Sequence, residues 1–359
     1  MRYKLLAQRT LIVRGPALLA LLSGHAQILG QSLKPEEKVV VAEQRQLPIE
    51  SNNGAELEIT LGKLGGLDEI GGSTIPPSWD SAVSALAEMQ RGTVIVLGPT
   101  DVGKSTLCVY LLNRLGHTEQ GVRIIDADIG QTDVGPPTSI ALASPTQPVA
   151  SLTELTPELA LFIGHTTPSY VEAKLINGIR RLAAHEGAPL TVINTDGWVA
   201  EREAARYKIS LISQVQPELV LGLACGDELQ AILDTVQSHV MRVSAAENVL
   251  SRSRADRKML RTWGYRRFLS GGETMKIPFS NVRFSAPKHF PAITAVNRSA
   301  LRNLIIGIID AAGYLTNIGI LLDVEPDGVR IYSKQRDAIS QIELGFVKLT
   351  PSGREIGFI

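Results

Sequence analysis

The stretch TVIVLGPTDVGKSTLCVYLL, Thr93 to Leu112, decides the fold. Thr93 to Leu97 is an apolar run without polar alternation, the pattern of a strand buried on both faces. Gly98 to Ser105 then matches GxxxxGK[ST], and a helix-compatible segment follows, so the strand, loop and helix that a P-loop requires are all in place. Glycines let such a loop turn back until successive backbone N–H groups face a phosphate, and the positive end of the helix dipole adds to the attraction. The expectation is that Gly98, Pro99, Thr100, Asp101, Val102, Gly103, Lys104, Ser105 and Thr106 cradle a nucleoside triphosphate. Lys104 would span the β- and γ-phosphates, and the Ser105 hydroxyl would ligate Mg²⁺. The motif leaves open whether water or an alcohol receives the phosphoryl group.

Downstream to Val243 the same kind of run recurs in GVRIIDAD, LALFIG, LTVINTDG, ELVLGLA and HVMRVS, with helical stretches such as Ser169 to Ala184 between. That alternation predicts an α/β P-loop NTPase core with a mostly parallel sheet. Upstream, from Leu11 to Leu61, short apolar runs are broken at Gly30, Pro35, Pro48 and Asn52-Asn53-Gly54, which suggests a small β-sandwich or barrel. The run GGLDEIGGSTIPPSWDS reads as a linker into a helix over Ala82 to Gln90. After Gly271-Gly272 strands and turns return. The expected layout is an N-terminal β domain over 1–76, a P-loop core over 77–272 and a C-terminal β domain over 273–359.

Lys plus Arg equals Asp plus Glu at 36 each, so the whole-chain charge points to no polyanionic partner and any such site must come from local clustering. Clustering does occur: Arg242 to Arg267 holds eight basic and two acidic residues, and Arg254, Arg257, Lys258 and Arg261 recur at helical spacing. The first 26 residues only loosely resemble a signal peptide, since Arg9, Arg14 and Pro16 interrupt the apolar run. No run approaches a membrane span, and Cys108 and Cys225 lie too far apart for a metal-ligand pair. A cytoplasmic, reducing location with no membrane and no structural metal is expected.

Two carboxylates follow the second strand, Asp126 and Asp128 in DADIGQ. If the strand runs that far, period two places both on one face, one on the metal side and one able to accept a proton. The alternative is one Walker B aspartate beside a turn or capping aspartate. A guanine-selective switch would show Asn-Lys-x-Asp, whereas NTDG at Asn194 to Gly197 lacks the lysine. Partition-type ATPases place a second lysine early in the loop, where Thr100 and Asp101 stand here.

Taken in order, GPTDVGKST, DADIGQ, GHTTPS at Gly164 to Ser169, INTDGW at Ile193 to Trp198 and the arginine helix over Arg252 to Arg261 resemble the polynucleotide 5'-hydroxyl kinases. That family comprises the RNA kinases of pre-mRNA cleavage, tRNA splicing and pre-rRNA processing and their single-chain archaeal relatives. The resemblance covers roughly 76–272 and also suits the flanking β domains. It implies ATP or another NTP with Mg²⁺ as cofactors, and RNA, with DNA as a further candidate, as the partner whose 5'-hydroxyl end is phosphorylated. By that resemblance Asp128 is the general base, which leaves Asp126 beside Ser105 for the metal. Gln131 orders the site, Thr166 and Thr167 form a clasp on the phosphate next to the acceptor end, and Trp198 stacks on a terminal base. Arg257 and Arg261 belong to a lid, about 247–270, over the γ-phosphate. Two departures fall in the lid, Lys258 in place of an arginine and the ending RRFL.

The expected activity is therefore phosphoryl transfer from ATP to an alcohol. The rivals are an ATP-bound scaffold of an RNA-processing assembly with little turnover, and a P-loop NTPase that serves partner or metallocentre assembly. The sequence names no protein partner. His165 reads as structural, because a carboxylate base is already present.

Overall fold

The computed structural model describes residues 1–116, 121–187, 190–285 and 298–359. These fall into two compact units. The first holds Met1–Ile124, Ser144–Leu155 and Gly187–Arg252, and the second holds Ile125–Ala143, Thr156–Glu186 and Ser253–Ile359.

In the first unit, Arg2–Leu5, Ala55–Leu61, Ala17–Gly24 and Lys38–Val41 form one antiparallel sheet, in that order. A second sheet runs Gln31–Ser32, Gln27–Ile28, Gln46–Ser51, Arg9–Arg14 and Gly66–Gly71. The alternation of Ala55–Leu61, buried at 55, 57 and 59 and exposed at 56, 58 and 60, is what a sheet with one face on a core dictates. Gly66–Gly71 lies inside the stretch read as a linker. It has no alternation and no buried residue, so only its pairing with Arg9–Arg14 reveals it as an edge strand.

The α/β part of this unit orders residues 122–124, Leu190–Thr195, Gly92–Leu97, Leu219–Ala224 and His239–Ser244 side by side. The Gly92–Leu97 strand pairs in parallel with both neighbours, and Leu219–Ala224 pairs in parallel with His239–Ser244. Val94, Ile95, Val96 and Leu97 are wholly buried, as expected of a strand covered on both faces. The helix predicted over Ala82 to Gln90 spans Pro77–Met89, because Pro77 at its first position is preset for a helix start. Its Trp79 is buried and donates from Nε1 to the Ser244 carbonyl at 2.9 Å.

In the second unit, residues 125–127, Ser139–Ala143 and Leu159–Phe162 lie side by side, the last two antiparallel. Glu172–Ala183 and Arg254–Leu269 are its helices. The helix read from Ser169 is a 3₁₀ turn at Pro168–Tyr170 followed by the α-helix from Glu172. A further sheet orders Glu273–Pro278, Gly328–Ser333, Leu315–Val324, Leu304–Ile309, Gln341–Leu349 and Arg283–Ser285, with Glu355–Phe358 paired to Gln341–Leu349. Leu304, Ile306, Ile331, Ile342 and Leu344 are at the centre of its core. No helix among the described residues is long and apolar enough to cross a membrane.

Candidate nucleotide-binding and acceptor sites

The P-loop leaves the strand Gly92–Leu97 and enters the helix Lys104–Leu115. Gly98 has no room for a side chain, since a Cβ there would lie 2.4 Å from the Leu223 carbonyl oxygen. Gly103 has φ +96° and stands at the N-cap, a conformation that favours glycine and leaves the helix start without a side-chain cap. Uncapped N–H groups at the start of a twelve-residue helix are the donors a phosphate requires. Lys104 is 6% exposed, and its Nζ donates to the carbonyls of Gly98 at 2.9 Å and Pro99 at 2.7 Å. The ammonium thus lies over its own loop. Asp101, at φ +58°, accepts the Arg252 backbone N–H at 3.0 Å, and the Arg252 guanidinium in turn donates to the Gln44 carbonyl.

The end of Leu190–Thr195 adds to this site. Asn194 Nδ2 donates to the Ser105 hydroxyl at 3.3 Å, and the Thr195 hydroxyl donates to the Val96 carbonyl at 2.8 Å. Gly197 packs so tightly that a Cβ there would lie 2.6 Å from Thr100 N. Trp198 follows, half-buried, stacked on Tyr207 at 5.9 Å and 25°, with its indole N–H donating to the Glu201 carboxylate. Asn194, Asp196 and Gly197 were quoted in a motif, but their contacts with the P-loop and with the helix Arg202–Val215 have no one-dimensional signal.

In the second unit the strand carrying DADIGQ stops at Ala127, so Asp126 and Asp128 do not share a strand face. Asp126 is fully buried, and its Oδ2 accepts from the Thr132 hydroxyl at 2.9 Å, Asp133 N at 2.7 Å and Val134 N at 3.1 Å. Burial, then the charge of Asp133, pushes its carboxyl above the ordinary carboxylate range, against the pull of those three donors. Asp128 stands in the turn beyond, half-buried, where its Oδ1 accepts from Gly130 N at 3.1 Å and Gln131 N at 3.0 Å. The two carboxylates therefore have different environments: the shared strand face is not formed, and Asp128 stands as the turn aspartate of the alternative reading.

This turn meets the loop of Thr166 and Thr167 and the helix Arg254–Leu269. A Cβ on Gly130 would lie 3.0 Å from the Thr166 carbonyl, so the two loops touch there. The Thr138 carbonyl accepts from both Ile163 N and Gly164 N at 2.9 Å, and Thr138 itself is buried at φ +73°, a strained position for a β-branched residue. Thr166 is half-buried and Thr167 exposed, and Thr167 N donates to His165 Nδ1 at 2.8 Å. Burial pulls the His165 pKa below its ordinary value. Gln131 Nε2 donates to the Arg257 carbonyl of the helix Arg254–Leu269 at 3.2 Å, and Arg267 of that helix donates to the Asp133 carbonyl at 3.2 Å.

Ser253 caps the helix Arg254–Leu269 in a reciprocal box with Asp256, which sets its start. Arg261 lies on this helix and pairs with Glu355. Its guanidinium makes a two-pronged pair with Glu355, with Nη2 to Oε2 at 2.9 Å, and Glu355 is 4% exposed. Burial works against the Arg261 charge, and the Glu355 carboxylate more than offsets it, leaving the guanidinium above its ordinary range. Arg254 and Lys258 are exposed and Arg257 is half-buried, so the predicted basic stripe is split between solvent and a buried partner.

Residues 98–271 match the family model described as mRNA cleavage and polyadenylation factor CLP1 P-loop. A polyribonucleotide 5'-hydroxyl-kinase of Pyrococcus furiosus is 32% identical over 213 residues, covering 58% of this chain but 59% of that protein, under two thirds of its length. Its counterpart in Methanocaldococcus jannaschii is 25% identical over 343 residues, 79% of this chain and 95% of that one. The solved structure of wild-type Clp1p with Pcf11p superposes with a TM-score of 0.74 over 97% of both chains at 12% identity, a likeness of fold. Residues 98–271 thus resemble the CLP1-type P-loop, and the chain is similar to the polyribonucleotide 5'-hydroxyl-kinases over the lengths given.

Proposed function

We propose that the protein is a polynucleotide 5'-hydroxyl kinase that moves the γ-phosphoryl group of ATP, or another NTP, to the 5'-hydroxyl of RNA. The observation that carries this reading is the tie between Asp128, Gln131, Thr166 and the lid helix in one assembly. A hydrolytic switch needs only a water-positioning group, whereas a carboxylate set in a turn beside a polar clasp suits an alcohol brought in from outside.

In this reading the P-loop N–H groups hold the triphosphate, and Lys104 leaves the Gly98 and Pro99 carbonyls to reach the β- and γ-phosphates. Asp128 orients the 5'-hydroxyl and takes its proton as the new O–P bond forms and the bond to the departing nucleoside diphosphate breaks. Thr166 and Thr167 hold the next phosphate, Gln131 keeps the turn against the lid, and Arg257 neutralises charge on the transferring group. Arg261 contributes either as a lid cation or by fixing the helix through Glu355, and the pair in the structure supports the second role. Ser105 fits Mg²⁺, because its hydroxyl accepts one hydrogen bond from Asn194 and retains a hard oxygen lone pair. Mg²⁺ supplies charge neutralisation at the phosphate oxygens. Asp126 fits a metal poorly, with Oδ2 engaged by three loop donors, so its place is to hold the turn over 132–134.

The test is transfer of label from γ-labelled ATP to hydroxyl-terminated RNA and DNA oligonucleotides, with Mg²⁺ and with chelator. Labelled oligonucleotide that is lost on Asp128→Asn supports the reading. ATP hydrolysis with no labelled oligonucleotide of either kind overturns it in favour of an NTPase. Tight nucleotide binding with neither product favours the scaffold, a reading that the folded-back Lys104 makes worth separating.

A further inference from the structure

A charged pair that a hydrophobic core does not require lies beneath the Asp196-Gly197-Trp198 turn. Lys208 is completely buried and Asp196 is 4% exposed, with Nζ 2.8 Å from Oδ2. Lys208 Nζ also donates to the Asp196 carbonyl at 3.0 Å. The Tyr207 hydroxyl donates to Oδ2 at 3.1 Å, and the Trp198 amide donates to Oδ1 at 3.0 Å. Removing two charges from water is unfavourable, and apolar residues of similar size at such positions are often as stable or more so. What an apolar pair cannot do is fix the turn, because only a carboxylate accepts from the Trp198 amide, Tyr207 and Lys208 at once.

The consequence falls on the indole. One face of Trp198 rests on the Tyr207 ring, whose hydroxyl is tied to the same carboxylate that holds the Trp198 backbone, and its N–H is held by Glu201. Backbone, ring face and ring edge of Trp198 are thus each constrained, and the residue remains half-buried rather than enclosed. Resting on the kinase reading above, we propose that Asp196, Lys208 and Tyr207 form a positioning unit that presets the Trp198 indole as a stacking surface for a nucleobase of the acceptor strand. Such a surface is ordered before the strand arrives, so binding carries less ordering entropy.

The test uses the full chain and a 5'-hydroxyl RNA oligonucleotide, with KM for oligonucleotide, KM for ATP and kcat measured separately. Tyr207→Phe keeps the ring and removes only the hydroxyl; Asp196→Asn keeps the shape and removes the charge. Tyr207→Phe is expected to raise KM for the oligonucleotide roughly fivefold while KM for ATP and kcat stay within about twofold. In a Trp198→Ala background, which itself raises that KM roughly tenfold, the same change is expected to have no further effect, because both act through one surface. An unchanged oligonucleotide KM in Tyr207→Phe overturns the inference and leaves the kinase reading standing. So does an equal fall in kcat and both substrate affinities, or an effect that persists without Trp198, since either marks a role in the fold alone. If Asp196→Asn does not fold, the Tyr207→Phe cycle decides by itself. An unmutated protein that phosphorylates no oligonucleotide removes the kinase reading and this inference with it.

Discussion

Gly197→Ala tests the contact on which the nucleotide site is built. The added Cβ would lie 2.6 Å from Thr100 N and Cγ2 and 2.9 Å from Thr100 Cα, whereas ordinary contact begins at 3.4 Å. The methyl of Thr100 can rotate away, but its backbone cannot, so one chain must move by about 0.8 Å in a close-packed region. Overpacking of this kind costs about 1–3 kcal/mol. Thr100 belongs to the phosphate loop, whose N–H groups must converge on one anion, so most of that strain falls on nucleotide binding. At about 1.4 kcal/mol per tenfold, ATP affinity is expected to fall between about fivefold and 150-fold. Isothermal titration with a non-hydrolysable ATP analogue reads this directly. Gly66→Ala is the control, since nothing lies within 4 Å of a Cβ there. Binding by Gly197→Ala within about twofold of the unmutated protein would refute the claim that this glycine sets the loop.

Glu355→Ala is expected to lower stability by about 3 kcal/mol, because it leaves the Arg261 guanidinium, only 18% exposed, without its counter-charge; an unchanged urea midpoint would show the pair to be incidental. Asp126→Ala deprives Thr132, Asp133 N and Val134 N of one acceptor and is expected to cost about 3 kcal/mol, with Asp126→Asn nearer half of that, by the same measurement. His165 has a folded-state pKa below its ordinary 6.5, so on acidification the unfolded chain takes up the proton first. Its stabilising contribution is complete above that value and is lost as pH falls. Melting curves of the unmutated protein and His165→Gln should therefore diverge at neutral pH and converge on acidification; parallel curves would contradict the assignment.

Much of the architecture was legible because burial on both faces writes itself as unbroken apolar runs. The strands at 92–97, 190–195 and 219–224 were all found this way. Gly66–Gly71 was missed because an exposed edge strand has no face to bury. Ser139–Ala143 was missed because five buried small and apolar residues are too short a run to separate from a loop. The P-loop was equally plain, since its glycines, lysine and serine are consecutive and their chemistry is local.

The sequence by itself thus determined the fold class and the phosphate loop, each of which depends on residues near one another along the chain. Tertiary structure alone decided that Asp126 is enclosed while Asp128 is not, that Arg261 meets Glu355 across 94 residues, and that Asp196, Tyr207 and Lys208 hold the Trp198 turn. The physical reason is that a side chain's burial and partners depend on how the chain turns in space, whether the partner is a few residues on, as for Asp126 and Asp196, or 94 residues away, as for Arg261.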